Sequence, residues 1–181
     1  MRQKPLLLVD IDGVISLFGS PPPWLAQTQD QPPEGSLHTI EGIPHFLSRT
    51  AAAHLQELSA QFELVWASGW EERADEHLPH LLGLPSGLPH LRLEGRAGAV
   101  RSRNAHWKLD AIDAYARARE LAWIDDSFND ACHEWAAVRT RSTAPTLLVQ
   151  TEPARGLTSL ETRQLLAWAH GNGTGPRGQA H

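Results

Sequence analysis

LLLVDIDGV, residues 6–14, is the stretch whose reading decides the fold. Four apolar residues run into Asp10 and Asp12, and Gly13 follows at once. A short uninterrupted apolar run bounded by a turn signal reads as a strand buried on both faces. Side chains along a strand repeat with a period of two, so Asp10 and Asp12 share one side at its C-terminal edge. In open α/β sheets that edge is where ligands bind. Gly13 lets the backbone turn away and come close to a ligand. Two such carboxylates repel unless a cation or a shared proton offsets their charge, and magnesium is the natural candidate. The chemistry of the pair is then nucleophilic attack on phosphorus by one aspartate and proton transfer by its neighbour. An Asp-Gly turn that merely closes a strand has the same letters, so the rest of the chain must discriminate.

Length and composition set the frame. A chain of 181 residues makes one domain of ordinary size, and 41% hydrophobic with 20% charged residues fits a globular protein with a packed core. The formal charge of −5 argues against a surface that grips nucleic acid everywhere, while leaving room for a local basic groove. Cys132 is the single cysteine, so no internal disulfide can form and a reducing compartment is expected. The first core strand begins within a few residues of Met1, which leaves no space for a signal peptide, and LLLV is too short to span a bilayer. The expectation is a cytoplasmic protein without a membrane segment.

Beyond the opening strand, residues 19–42 are rich in proline, including Pro21-Pro22-Pro23 and Pro32-Pro33, and read as an extended insert beside the DxD turn. From Ile43 to Gln61 apolar residues recur at three and four positions, which predicts an amphipathic helix. FELVWASGW, residues 62–70, repeats the opening architecture: an apolar strand, then Ser68 and Gly69 where a hydroxyl and free backbone N–H groups can hold a phosphoryl oxygen. A helix follows from Glu71 to Leu82, stopped by Gly83 and Pro85. Residues 84–105 form a basic loop with Arg92, Arg96, Arg101 and Arg103, and a short strand is expected at Leu91–Leu93.

HWKLDAIDAYARARE, residues 106–120, has helical spacing, and Lys108 sits in its first turn, where the macrodipole alone prefers an acid. LAWIDDSFND, residues 121–130, is a third strand ending in carboxylates, Asp125 and Asp126. A helix over residues 130–140, a strand at 146–151 and a helix from Thr158 to His170 complete the domain, residues 1–170, and 171–181 read as a disordered tail. Trp70 and Trp107 each adjoin a candidate site residue, where a ring can stack on a base or simply pack. The ten histidines show no ligand spacing for zinc.

Acid pair, serine, lysine, acid pair, in that order, resembles the haloacid dehalogenase-like (HAD) superfamily. DIDGV matches its first motif, WASG its second, Lys108 its third and IDDSFND its fourth, spanning residues 6 to about 151. The resemblance implies a three-layer α/β/α Rossmann-like fold with a central, mostly parallel sheet. It also implies Asp10 as nucleophile and magnesium ligand, and Asp12 as general acid/base with a metal-binding carbonyl. Ser68 and Lys108 would hold the phosphoryl group, and Asp126, or Asp125 as alternative, would complete the magnesium shell. Asn129 or Asp130 would support that shell from behind. Gly13, Gly69, Trp70 and Arg103 are the candidate substrate contacts.

An acid at position 12 favours phosphate ester hydrolysis over halide displacement, since an alkoxide leaving group needs a proton. Both inserts are short and no large cap domain is evident, which suits a phosphate at the end of something large. FELVWASGW and AWIDDS also resemble a compact branch associated with RNA repair proteins, so the expected partner is a phosphorylated RNA or DNA end, with a small-metabolite phosphatase as the alternative. A fold kept only as a binding scaffold would be signalled by loss of Asp10, Asp12 or Lys108, and all are present.

Overall fold

The computed structural model describes residues 3–20, 32–93 and 105–173. β1 (Leu6–Val9) lies inside a four-stranded parallel sheet with β5 (Glu63–Trp66), β6 (Leu121–Asp125) and β7 (Thr146–Gln150), in the order β5-β1-β6-β7. All four β1 side chains are fully buried, as a strand covered on both faces requires. Alternation then sorts the core. Leu7, Val9, Leu64 and Trp66 face α1 (Arg49–Leu58), α2 (Glu72–Leu82) and α5 (Ser159–Gly173). Leu6, Leu8, Val65 and Trp123 face α3 (Leu109–Ala116) and α4 (Asp130–Ser142). Helices, sheet and helices thus form three layers, the Rossmann-like architecture that the motifs imply.

Topology places the site. From β1 the chain moves to β5 on one side and then crosses to β6 on the other, so the C-terminal end of β1 is a switch point. Val9 is in register with both Trp66 and Ile124. The residues just beyond, Asp10, Ser68 and Asp125, therefore emerge side by side at one sheet edge.

A second sheet stands beside that edge. β3 (Gly35–Ile40) and β4 (Ile43–Ser48) form an antiparallel hairpin, and β2 (Ser16–Leu17) pairs with β4. This corrects the expectation of a helix from Ile43: residues 43–48 are strand, and α1 starts at Arg49, where the Ser48 side chain accepts the Ala51 N–H at 3.0 Å. Glu41 and Gly42, with φ of 51° and 81°, supply the left-handed two-residue turn that joins twisted strands, and Pro44 disfavours helix in the residue before it. Part of the proline-rich insert is thus ordered strand, while residues 21–31 lie outside the described residues.

Other boundaries move by less. The strand expected at Leu91–Leu93 reduces to a bridge between Trp66 and His90, with the Leu91 N–H donating to the Trp66 carbonyl at 2.8 Å. The helix expected through residue 120 ends at Ala116, where Arg117 turns to a φ of 49°. The buried Arg139 clamps that turn, donating to the Arg117 and Arg119 carbonyls at 2.6 and 2.8 Å and to Thr146 Oγ1 at 2.7 Å. α5 continues to Gly173, beyond the expected start of the tail. Arg96, Arg101 and Arg103 of the basic loop, and residues 174–181, lie outside the described residues. No described helix is long and apolar enough to cross a membrane.

Candidate active site

Asp10 follows β1 directly and is 7% exposed. Its Oδ1 accepts the Ile11 N–H at 2.8 Å, and its Oδ2 lies 2.9 Å from Lys108 Nζ. Lys108 ends a 3₁₀ turn, Ala105–Lys108, that leads into α3, and its ammonium also donates to Asp125 Oδ2 at 2.7 Å. The buried lysine thereby ties the end of β1 to the end of β6.

Asp125 and Asp126 differ in their surroundings. Both oxygens of Asp125 are engaged, Oδ2 by Lys108 and Oδ1 by the Ser127 N–H at 3.1 Å. Asp126 lies against Gly13: a Cβ on that glycine would come within 2.6 Å of Asp126 Cβ and 2.7 Å of its Oδ2. Gly13 has a φ of 74°, so only glycine meets both demands without strain. Its N–H donates to the Ser16 carbonyl at 2.8 Å and its own carbonyl accepts Thr151 Oγ1 at 2.8 Å, so the expected substrate contact instead seats Asp126.

Ligand oxygens of Asp10, Asp125 and Asp126 all lie within 4.8 Å of one another. Among the described residues, the Lys108 ammonium faces three carboxylates. Burial, then the charge of Asp10, pushes Asp125 up to about 7 and Asp126 up to about 6, with Lys108 pulling the other way. Burial works against the Lys108 ammonium, but Asp10 and Asp125 outweigh it and hold Lys108 above its ordinary value. A cluster of hard oxygen donors of this kind fits a magnesium ion.

Asp12 stands apart from this trio. It is open to solvent, yet enough protein surrounds its carboxyl to raise its pKa, first by desolvation and next by the charge of Asp10. Its Oδ2 accepts the Trp70 indole N–H at 3.2 Å. Trp70 is 8% exposed and packs edge-on against His45, ring centroids 4.8 Å apart, so this ring orients Asp12 and offers no face for the base considered above. His45 in turn meets Ser16 Oγ at 2.9 Å through Nδ1. A hairpin residue therefore supports the DxD turn across 29 positions in sequence, a partnership that no local pattern announces.

Ser68 is buried beyond the end of β5, and among the described residues its hydroxyl has no hydrogen-bond partner. The turn that carries it is braced from α2: Arg73 donates to the Gly69 carbonyl at 3.1 Å and to the Trp70 carbonyl at 3.3 Å, and pairs with Glu41 of the hairpin tip at 2.7 Å. Glu71 adopts a φ of 48° while its carboxylate accepts the Leu93 N–H at 2.7 Å. Neither residue is announced by the sequence, because helix-start acids and surface arginines carry no distinguishing signal. Trp107 closes the other side. Its Cη2 lies 3.9 Å from where a Gly69 Cβ would be, and Lys108 Nζ is 5.7 Å from its ring centroid.

Of the supporting candidates in the fourth motif, Asn129 caps α4 by accepting the Cys132 N–H at 3.2 Å, and Asp130 is the exposed first residue of that helix. Arg103 lies outside the described residues.

Comparison with curated proteins finds no match, and comparison with solved structures finds none. The family model described as the HAD domain in Swiss Army Knife RNA repair proteins matches residues 6–161, from the first residue of β1 to the first turn of α5. Order of motifs, parallel sheet and convergence of Asp10, Ser68, Lys108 and Asp125–Asp126 at its switch point agree with that match: the chain belongs to this family of HAD-type hydrolase domains.

Proposed function

We propose that the protein is a magnesium-dependent phosphomonoesterase that works through an aspartyl-phosphate on Asp10 and acts on a phosphate at the end of a nucleic acid. The observation that carries this reading is the buried Lys108 ammonium held between Asp10 and Asp125, at 2.9 and 2.7 Å, beside the Ser68 turn. An anion that reaches Asp10 there meets a fixed cation and the Ser68 hydroxyl.

In the first step an Asp10 oxygen attacks phosphorus and the bond from phosphorus to the ester oxygen breaks. Asp12, its pKa raised, gives its proton to the departing alkoxide. In the second step Asp12 takes a proton from water, the water oxygen attacks phosphorus, and the acyl phosphate bond breaks to return the Asp10 carboxylate and inorganic phosphate. Ser68 hydrogen-bonds the transferring group, and Lys108 neutralises its charge where water is largely excluded. Asp10 and Asp126 would hold magnesium together with the Asp12 carbonyl, while Asp125 positions Lys108; when bound, the ion supplies charge stabilisation and orientation for the phosphoryl group.

Two features support a nucleic-acid end. The family description names RNA repair proteins. Among the described residues, β2, the β3–β4 hairpin and α1 lie between the first and second motifs, and α2 and the 3₁₀ turn lie between the second and third, with no separate cap domain. The test is release of inorganic phosphate, with magnesium and with EDTA, from 3′-phosphorylated and 5′-phosphorylated oligonucleotides and a set of small phosphate esters, with Asp10→Asn as blank. Magnesium-dependent turnover that favours one oligonucleotide end supports the proposal. Preference for a small ester overturns the substrate class, and no release above the blank overturns the reaction.

A further inference from the structure

We propose that Trp107 determines specificity in this site, by offering its ring to the planar base of a nucleotide leaving group. The inference rests on the phosphatase reading above and names what lies beyond the scissile ester oxygen.

Two tryptophans adjoin the site residues, and the structure gives them opposite circumstances. Trp70 is enclosed, with its N–H spent on Asp12 and its ring edge-on to His45. Trp107 is only half-buried, packed on one side against the cluster that contains Leu91, Ile112 and Cys132. The tip of its ring is at Gly69 and the Lys108 ammonium lies near its centroid. These are the two places that a bound phosphoryl group would touch. A phosphate between the 68–69 turn and Lys108 therefore sits beside this ring, and the sugar and base esterified to it are within one nucleotide's reach of this partly exposed side chain.

Chemistry selects a planar partner. Every base has a π face, and stacking on an aromatic side chain strengthens binding whatever the sequence. A Cβ added at Gly69 would make ordinary van der Waals contact with the ring tip, at 3.9 Å, so the turn and the ring lie side by side. Trp107 also immediately precedes Lys108, so the ring's position is linked by a single peptide unit to the residue that holds the phosphate charge.

The experiment compares oligonucleotides whose terminal phosphorylated nucleotide carries a base or is abasic, at the 3′ end and at the 5′ end. Binding is read by fluorescence anisotropy in an Asp10→Asn background, so that it does not depend on turnover, and KM is read in the active protein. With Trp107 present, the base-bearing end should bind about ten-fold more tightly than the abasic one. Trp107→Leu, which keeps apolar volume for the packed side, should bring that ratio close to one with the abasic affinity unchanged, and Trp107→Phe should fall between. An unchanged ratio, an equal loss on both oligonucleotides, or no base preference in the parent protein overturns the proposal. Absence of phosphate release by the active protein would count against the phosphatase reading alone, since the binding ratio still decides the role of Trp107. A melting curve for each variant separates loss of the ring from loss of the fold.

Discussion

Gly13→Ala should damage this protein more than its size suggests, and the structure separates the reasons. A residue other than glycine at a φ of 74° carries the left-handed penalty of about 1–2 kcal/mol. The added methyl would also lie 2.6 Å from Asp126 Cβ, so one of the two must move, and overpacking of that kind costs roughly 1–3 kcal/mol. The sum is about 2–5 kcal/mol, which for a domain of this size lowers the melting temperature by about 4–20 °C. Gly42→Ala is the control: its φ is 81°, but nothing lies within 4 Å of the added carbon, so only the backbone penalty applies. Thermal melts of both variants, with magnesium titrations of phosphate release, test the argument. Gly13→Ala should melt lower than Gly42→Ala and need several-fold more magnesium for half-maximal activity, because Asp126 is displaced. Equal melting temperatures, or an unmoved magnesium requirement, would refute the idea that Gly13 exists to seat Asp126.

Three further outcomes follow from particular contacts. Asp126 is raised from 3.8 to about 6, so between those values the folded protein binds more protons than the unfolded one, and this residue's contribution to metal-free stability falls as pH rises. Asp126→Asn should therefore stabilise the metal-free protein at pH 7.5, by at most on the order of 3 kcal/mol, and change it little near pH 4; denaturant melts in EDTA that show no pH dependence in this difference would contradict it. Trp70→Phe keeps the buried ring but removes the donor to Asp12 Oδ2, so the Asp12 pKa should rise further and the alkaline limb of the pH–rate profile should move upward, with kcat down by roughly three- to ten-fold; an unshifted limb counts against Asp12 as the acid. Arg139→Ala removes the donor to the Arg117 and Arg119 carbonyls and to Thr146 Oγ1, which keeps its bond to the Ala144 carbonyl, and should cost about 2–4 kcal/mol in a urea melt while phosphate release at 25 °C persists.

Much of this protein was legible from residue order because its motifs are local. An apolar run that ends in DxDG dictates a buried strand and an acid-bearing turn through sterics and periodicity within nine residues, and the same logic locates Ser68 and the Asp125–Asp126 pair at strand ends. The helix expected from Ile43 failed for a related reason. Over a short apolar stretch, periods of two and 3.6 both find matches, and it was pairing with β2 and β3 that selected the strand.

Sequence by itself determined which residue types meet at the candidate site, their order, and the sheet edge at which they emerge. Tertiary structure alone decided which partners each acid has. Asp125 and Asp126 are adjacent letters, but Lys108 and the Ser127 N–H take up both oxygens of one, while the missing side chain of Gly13 makes room for the other. Trp70 and Trp107 likewise look alike in sequence, yet one is enclosed as the donor to Asp12 and the other stays half-open between Gly69 and Lys108. Burial and hydrogen-bond partnership are settled by contacts between segments tens of residues apart, and such contacts leave no local periodicity to read.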